Sequence, residues 1–211
     1  MPAQLDHLVV VAHSLGTGAQ LVEQSLGVPP GPGRKHPHMG THNLLLSLGP
    51  SVYLEVVAID PDAAPVSRPR WFGLDRRATE PAARLAAWVA NTDDIHAHVS
   101  PELGVVEQMA REGLTWQMTM TVDGDPPLSG AAPLLIQRST DVHPASRLPD
   151  LGLWLRRLRI RHPDPDRIAR LLAQIGLAET SNLTLHEGAV CALAAEVETP
   201  SGPKTLGDVG P

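Results

Sequence analysis

Two residues able to do chemistry stand among apolar neighbours: His7 in Leu5-Asp-His-Leu-Val-Val-Val11 and Glu55 in Tyr53-Leu-Glu-Val-Val-Ala-Ile59. On an extended strand Leu5, His7, Val9 and Val11 share one face, as do Tyr53, Glu55 and Val57 on theirs. Glu55 is the only charge between Ser51 and Asp60. A lone carboxylate in such a run is costly to bury without a partner, a proton or a metal. If the two strands are neighbours, imidazole and carboxylate together suit a divalent ion of borderline hardness, such as zinc, iron, manganese or nickel. The plainer alternatives are a core histidine bonded to backbone and, through a shift of register, a glutamate facing solvent. His36, His38 and His42 beside Gly40 are the nearest further imidazoles. Their Pro and Gly neighbours read as a flexible loop, either solvated or at the rim of a cleft. Thr41 and Asn43 either line that cleft or end a strand.

The elements that must position these groups follow from the pattern. Leu5–Val11 reads as a strand, and Ser14 can cap a helix running to Gly27. Pro29-Pro-Gly-Pro-Gly33 breaks the chain, and the runs His42–Leu48 and Val52–Ile59 look like a hairpin across Gly49-Pro-Ser. The proline-rich stretch after Asp60, ending in Trp71-Phe72, reads as a crossing loop. The order recurs from Leu85, with a segment around Asp94–Leu103 helical only in part, then Val105–Met109, Leu114–Val122 and Leu134–Gln137. A third start lies at Leu155, followed by a helix over Arg167–Ile175, short strands near Leu183 and Val190, and a Gly/Pro tail. A strand–helix–strands unit is thus used two or three times. One such unit covers only one face of its sheet, so two side by side leave a concave face as a cleft.

Composition narrows the function classes. The 211 residues are 42% hydrophobic and 3% aromatic, enough for a compact domain. With 23 acidic against 17 basic side chains the net charge is −6, and the basic residues, nearly all Arg, are scattered except at Arg156, Arg157, Arg159 and Arg161. Nucleic-acid binding is disfavoured. The single Cys191 excludes an internal disulfide and a thiolate zinc cluster. No basic leader precedes an apolar run, and no apolar stretch approaches the roughly 18 residues that span a bilayer. A cytoplasmic protein without membrane partners is expected.

Leu5-Asp-His-Leu-Val-Val, Gly40-Thr-His-Asn43 leading to Tyr53-Leu-Glu55, and Trp71-Phe-Gly-Leu-Asp75 together resemble the glyoxalase-like domain of the vicinal oxygen chelate superfamily, which includes glyoxalases, bleomycin-resistance proteins and extradiol dioxygenases. Pro133-Leu-Leu-Ile136, His143-Pro-Ala145 and Leu158-Arg-Ile-Arg-His-Pro-Asp164 fit more loosely. The resemblance implies an α+β fold in which βαβββ modules pair into an open, cup-like mixed sheet with helices outside. It divides the chain into a first module over 1–62, a connecting loop over 63–83, a degenerate second module over 84–145, a partial βαββ module over 151–200 and a tail over 201–211. It places metal ligands at His7 and Glu55, with Glu55 as the catalytic carboxylate and His42, Asn43 and Trp71 toward substrate. The expected partner is a small oxygen-rich molecule, and a homodimer is compatible with the fold. The chemistry implied is of lyase, isomerase or dioxygenase type on a divalent ion, with metal-free sequestration of a small molecule as the alternative. In the second unit the matching positions fall near Ala87 or Trp88 and Ile136 or Gln137, and in the third at Arg157 and Glu196. Of these only Gln137 and Glu196 can ligate an ion.

Other features have structural readings. Val9-Val-Val-Ala-His-Ser-Leu-Gly16 mimics a nucleophile elbow, yet too few residues precede it for the rest of that machinery, so Ser14 reads as a cap. Trp71-Phe72 is placed to lid the cleft, while Trp88, Trp116 and Trp154 read as core or interface. Arg157 and Arg159 form either a carboxylate clamp or a solvated stripe. Asp141 and His143, flanking a turn, are a candidate base and orienter.

Overall fold

A computed structural model describes residues 2–77, 82–111, 113–140, 142–177 and 182–208. The elements run β1 (Gln4–Val11), α1 (Leu15–Leu26), β2 (Gly31–His36), β3 (Thr41–Ser47), β4 (Tyr53–Ile59), α2 (Leu74–Arg77), β5 (Arg84–Asn91), α3 (Ile95–His98), β6 (Val105–Arg111), β7 (Leu114–Met120) and β8 (Leu134–Arg138). Then follow β9 (Trp154–His162), α4 (Pro165–Gln174), β10 (Leu183–Glu187), β11 (Ala192–Thr199) and β12 (Gly202–Gly207). Ser14 caps α1 by accepting from Thr17 N–H at 3.2 Å, and Gly27 closes it in the left-handed region. Asp164 caps α4 in the same way.

An eight-stranded sheet runs in the order β2-β3-β4-β1-β5-β8-β7-β6. Its halves repeat one topology: β1 pairs parallel with β4, and β5 parallel with β8. They join through antiparallel β1 and β5. This is the open cup of paired βαβββ modules. β2 differs from expectation, since its Pro and Gly residues predict a break and a loop where Gly31–His36 forms a strand. As an edge strand it tolerates Pro32 and the glycines, because only one row of its backbone groups must pair.

Two apolar clusters flank this sheet. On the convex side Leu8, Val10, Leu54, Val56 and Trp88 pack with Val22 and Leu26 of α1. Gly18 allows that approach, because a Cβ there would enter the Val56 side chain. The second half has only the one-turn α3, and a second sheet in the order β10-β9-β11-β12 covers its back, with Leu158, Ile160, Leu193 and Leu206 facing inward. In that sheet β10 crosses over to lie parallel beside β9, and β11 takes the other side. Residues 202–207, read as tail, form β12 on β11. The concave side holds Val9, Val11, Val57, Ala87, Val89, Met118, Met120, Leu134 and Ile136, and Trp71, Phe72 and Leu74 fill it. Trp88 is core, Trp116 half-buried at the cup edge, and Trp154 is 52% exposed and so not core. Among the described residues no helix is long and apolar enough to cross a membrane.

Candidate functional site

The polar groups gather at the β1–β4 end of the cup. Parallel pairing sets His7 opposite Tyr53, whose ring stacks on the imidazole at 4.5 Å, and Glu55 two residues further along the same face. His7 Nε2 lies 3.5 Å from Glu55 Oε2. Behind the imidazole, Nδ1–H donates to Asp6 Oδ1 at 2.5 Å. Asp6 also accepts from Arg138 and, at 3.0 Å, from His143 Nε2. His143 Nδ1 accepts from Ala145 N–H, which fixes the tautomer that donates to Asp6. On the other flank Asn43 Nδ2 donates to Glu55 Oε1 at 2.6 Å, while its Oδ1 accepts from Arg34 N–H. Both carboxylates and the imidazole between them are therefore oriented by further bonds.

Electrostatics sort the protons. Burial by itself pushes the His7 imidazolium down, but hydrogen bonds and charge from Asp6 and Glu55 outweigh it and leave the pKa above 6.5. Burial pushes Glu55 up, yet His7, with His36 and Asn43 in support, brings it to about 2. Asp6 is held well below 3.8, because the His143 and His7 bonds and the His7 and Arg138 charges exceed its burial cost. His36, on β2, is pushed down by burial to about 4 and takes a hydrogen bond from Arg111 at 2.7 Å. The cluster is thus a cation held between two anions, beside a neutral imidazole.

The sequence-derived residues separate accordingly. His7, Glu55 and Asn43 come together. His42 does not: alternation along β3 turns it away from the cup, with Nδ1 4.0 Å from Asp60. Trp71 sits in the cup, edge-on to His36 at 5.2 Å. The anticipated His-rich loop is strand at His36 and His42, and only His36 faces the site. Arg157 and Arg159 lie on the other sheet, both against Glu196, at 3.7 and 3.2 Å. Gln137 is used to cap Ile95 N–H. Asp141, the suggested partner of His143, falls outside the described residues.

The glyoxalase-like domain family matches residues 5–176. The chain belongs to that family. No curated protein matches the sequence. Among solved structures, a hypothetical protein from Staphylococcus aureus is similar at TM-score 0.59 and 12% identity, covering 90% of this chain and 88% of its own. A Streptomyces coelicolor methylmalonyl-CoA epimerase variant in complex with 2-nitronate-propionyl-CoA matches at TM-score 0.44 and 14% identity, over 66% of this chain and 97% of its own. The methylmalonyl-CoA epimerase from Mycobacterium tuberculosis matches at TM-score 0.41 and 13% identity, over 64% of this chain and 88% of its own.

The donor set of this glyoxalase-like chain does not suit a resident metal. His7 Nε2 and Glu55 Oε2 point to one place, but the facing strands of the second half contribute Ala87, Val89, Leu134 and Ile136 to the cup. Among the described residues no group of three His, Cys, Asp or Glu side chains could hold an ion. Two donors make half a chelate, and structural and catalytic sites need three or four.

Sequence reading missed Asp6 and Arg138. Alternation assigns Asp6 to the face opposite His7, but a β-bulge between Leu5 and His7 lets both turn to one site. Arg138 is 132 residues away in sequence, and its only sequence signal was the end of a strand in the second unit.

Proposed function

We propose that this glyoxalase-like protein binds a small oxygen-rich carbonyl compound at the His7–Glu55 end of the cup and moves a proton on it. The reaction is of isomerase or lyase type and uses side chains alone. The observation that supports it is the order Asp6–His7–Glu55: an imidazolium fixed from behind by one carboxylate and facing a second, ionised one across 3.5 Å.

Such a pair can act on a carbon acid. The substrate oxygen takes the hydrogen bond of His7 Nε2–H, and Glu55 removes the proton from the adjacent carbon. The C–H bond breaks, its electron pair moves to the oxygen, and the charge that develops there is balanced by the imidazolium that Asp6 holds. Glu55 is a weak base while His7 is charged, but as the His7 proton shifts toward the substrate, Glu55 loses its neighbouring cation and its basicity rises. All members of the cluster come from one chain, so a second copy is not required. The net charge of −6 supports a small molecule rather than nucleic acid as the partner, and the single Cys191 supports a cytoplasmic location.

Proton exchange at carbon tests this. Hydroxyacetone and the hemithioacetal of methylglyoxal, incubated in D2O and followed by NMR, should lose carbon-bound protium faster with protein. Glu55→Gln should slow this by about 10²-fold or more. Exchange at the uncatalysed rate would overturn the proposal. Binding without exchange would favour sequestration, a reading supported by the lack of a third metal donor beside His7 and Glu55 among the described residues.

A further inference from the structure

The cup holds an apolar hollow directly beside the acid–base pair, and the chain fills it with its own aromatic side chains. Trp71 and Phe72 come from the segment over residues 60–77, which runs from the end of β4 through Pro61, Pro65 and Pro69 without regular structure before a single turn at Trp71–Gly73. Phe72 is held at φ 59, ψ 20, a left-handed conformation that residues bearing a Cβ rarely adopt. Trp71 is 5% exposed, yet its indole N–H is buried without a hydrogen-bond partner, where a buried indole ordinarily finds one. Its two ends are anchored, Asp60 and Asp62 by Lys35 and Arg76 by Asp123 and Asp125, while between them the ties to the rest of the fold are fewer. Gly73 N–H donates to Gly124 O at 2.9 Å, and Arg68 reaches Glu107 at 2.6 Å and His38 at 2.8 Å.

A permanent core segment satisfies its polar groups and relaxes its backbone, and this one does neither at the two residues that fill the hollow. Segments with these traits open at lower cost than the sheet beneath them. Trp71 also abuts His36, which lies close enough to Glu55 to influence its charge. A ligand replacing the two rings would therefore have its own ring in an apolar pocket and its oxygens near Glu55 and His7.

We propose that residues 60–77 form a displaceable strap, and that Trp71 and Phe72 keep the place of a ligand's aromatic body, so that the site takes aryl carbonyl compounds. This rests on the reading of the His7–Glu55 end as the ligand site. The ring packs against Val9, Val57, Val89 and Ile136, and removal of the strap pairs the exposed indole N–H with water.

Calorimetric binding of benzoylformate, with glyoxylate as the analogue lacking the ring, tests it on the full chain. Two variants loosen the strap from outside the site. Gly124→Ala, at φ 75, drives a methyl group into collision with Arg70 O and 3.0 Å from Arg70 C, pushing the strap outward at some cost in backbone strain, and Arg68→Gln cuts the Glu107 tie if the first variant folds poorly. Benzoylformate should bind roughly threefold or more tightly to the loosened variants, because less is spent on opening, while glyoxylate changes little. Amide hydrogen exchange over residues 66–77 should rise when benzoylformate is added to the unmodified protein. Equal affinities for the two acids in every variant, no benzoylformate binding, or a strap that stays protected in the complex would each overturn the proposal. Benzoylformate has no hydrogen on the carbon beside its carbonyl, so this readout is separate from proton exchange on hydroxyacetone. Failure of the strap leaves that exchange intact, and failure of Glu55 as base leaves ring-dependent binding intact.

Discussion

Asp6 and His7 are consecutive on β1, yet both side chains serve one site, joined Oδ1 to Nδ1 at 2.5 Å. Adjacent strand residues ordinarily point to opposite faces. Here the bulge in the pairing of β1 with β5 supplies one extra residue, so Asp6 swings toward Arg138 and His143 while His7 keeps the cup face. The carboxylate then holds three donors from three parts of the chain.

Removing that carboxylate strands charges in the interior. Asp6 is fully buried and the Arg138 side chain is 13% exposed. Asp6→Asn should lower stability by about 3–5 kcal/mol in urea unfolding, because a guanidinium is left without its anion. The double variant Asp6→Asn/Arg138→Met should recover part of the loss. A single-variant cost under about 1 kcal/mol would show that Arg138 finds solvent instead.

The pH dependence has a definite sign. The His7 contribution is complete below its unfolded value of 6.5 and is lost as pH rises through the higher folded value. The Glu55 contribution is complete above 4.5 and is lost as pH falls toward about 2. The melting temperature should therefore hold between these limits and decline on the alkaline side, with that decline flattened in His7→Gln. An imidazole NMR titration placing His7 below 6.5 would contradict the ion-pair arrangement.

Gly33 is needed for its missing side chain. A Cβ there would collide with Asn43 Oδ1 and lie 2.5 Å from Asn43 O. Gly33→Ala should push Asn43 away from Glu55, cost about 1–3 kcal/mol through the overpacked contact, and slow proton exchange at carbon. A variant of unchanged activity would remove Asn43 from the orientation of Glu55.

Metal addition separates side-chain chemistry from chelation. Zinc, manganese, iron(II) or nickel at micromolar excess should raise the melting temperature by less than about 2 °C, since stabilisation by a ligand requires affinity for the folded state. Elemental analysis of untagged protein should show less than stoichiometric metal. A stoichiometric ion lost in both His7→Ala and Glu55→Ala would overturn the proton-only reading.

The positions of His7 and Glu55 were legible in the sequence because each is a polar residue in an otherwise apolar strand, and the repeat order made β1 and β4 candidate neighbours. Ser14 was legible as a cap because capping depends on residues three apart. The paired modules followed from the recurrence of strand starts near residues 5, 85 and 155. These are local or periodic signals, carried by composition and spacing.

Tertiary structure decided the rest. A bulge depends on two strands together, so Asp6 could not be assigned to its face from β1 alone. β2 forms because an edge is available beside β3, which lets a Pro/Gly-rich segment pair. β10 and β12 find their places on β9 and β11 through packing against the convex face of the larger sheet. Arg138 reaches Asp6 by a chain crossing that no local spacing encodes. The sequence determined which side chains are costly to leave alone in an apolar setting, and only the folded chain determined which partners meet them, because burial fixes the need for a partner while topology fixes its identity.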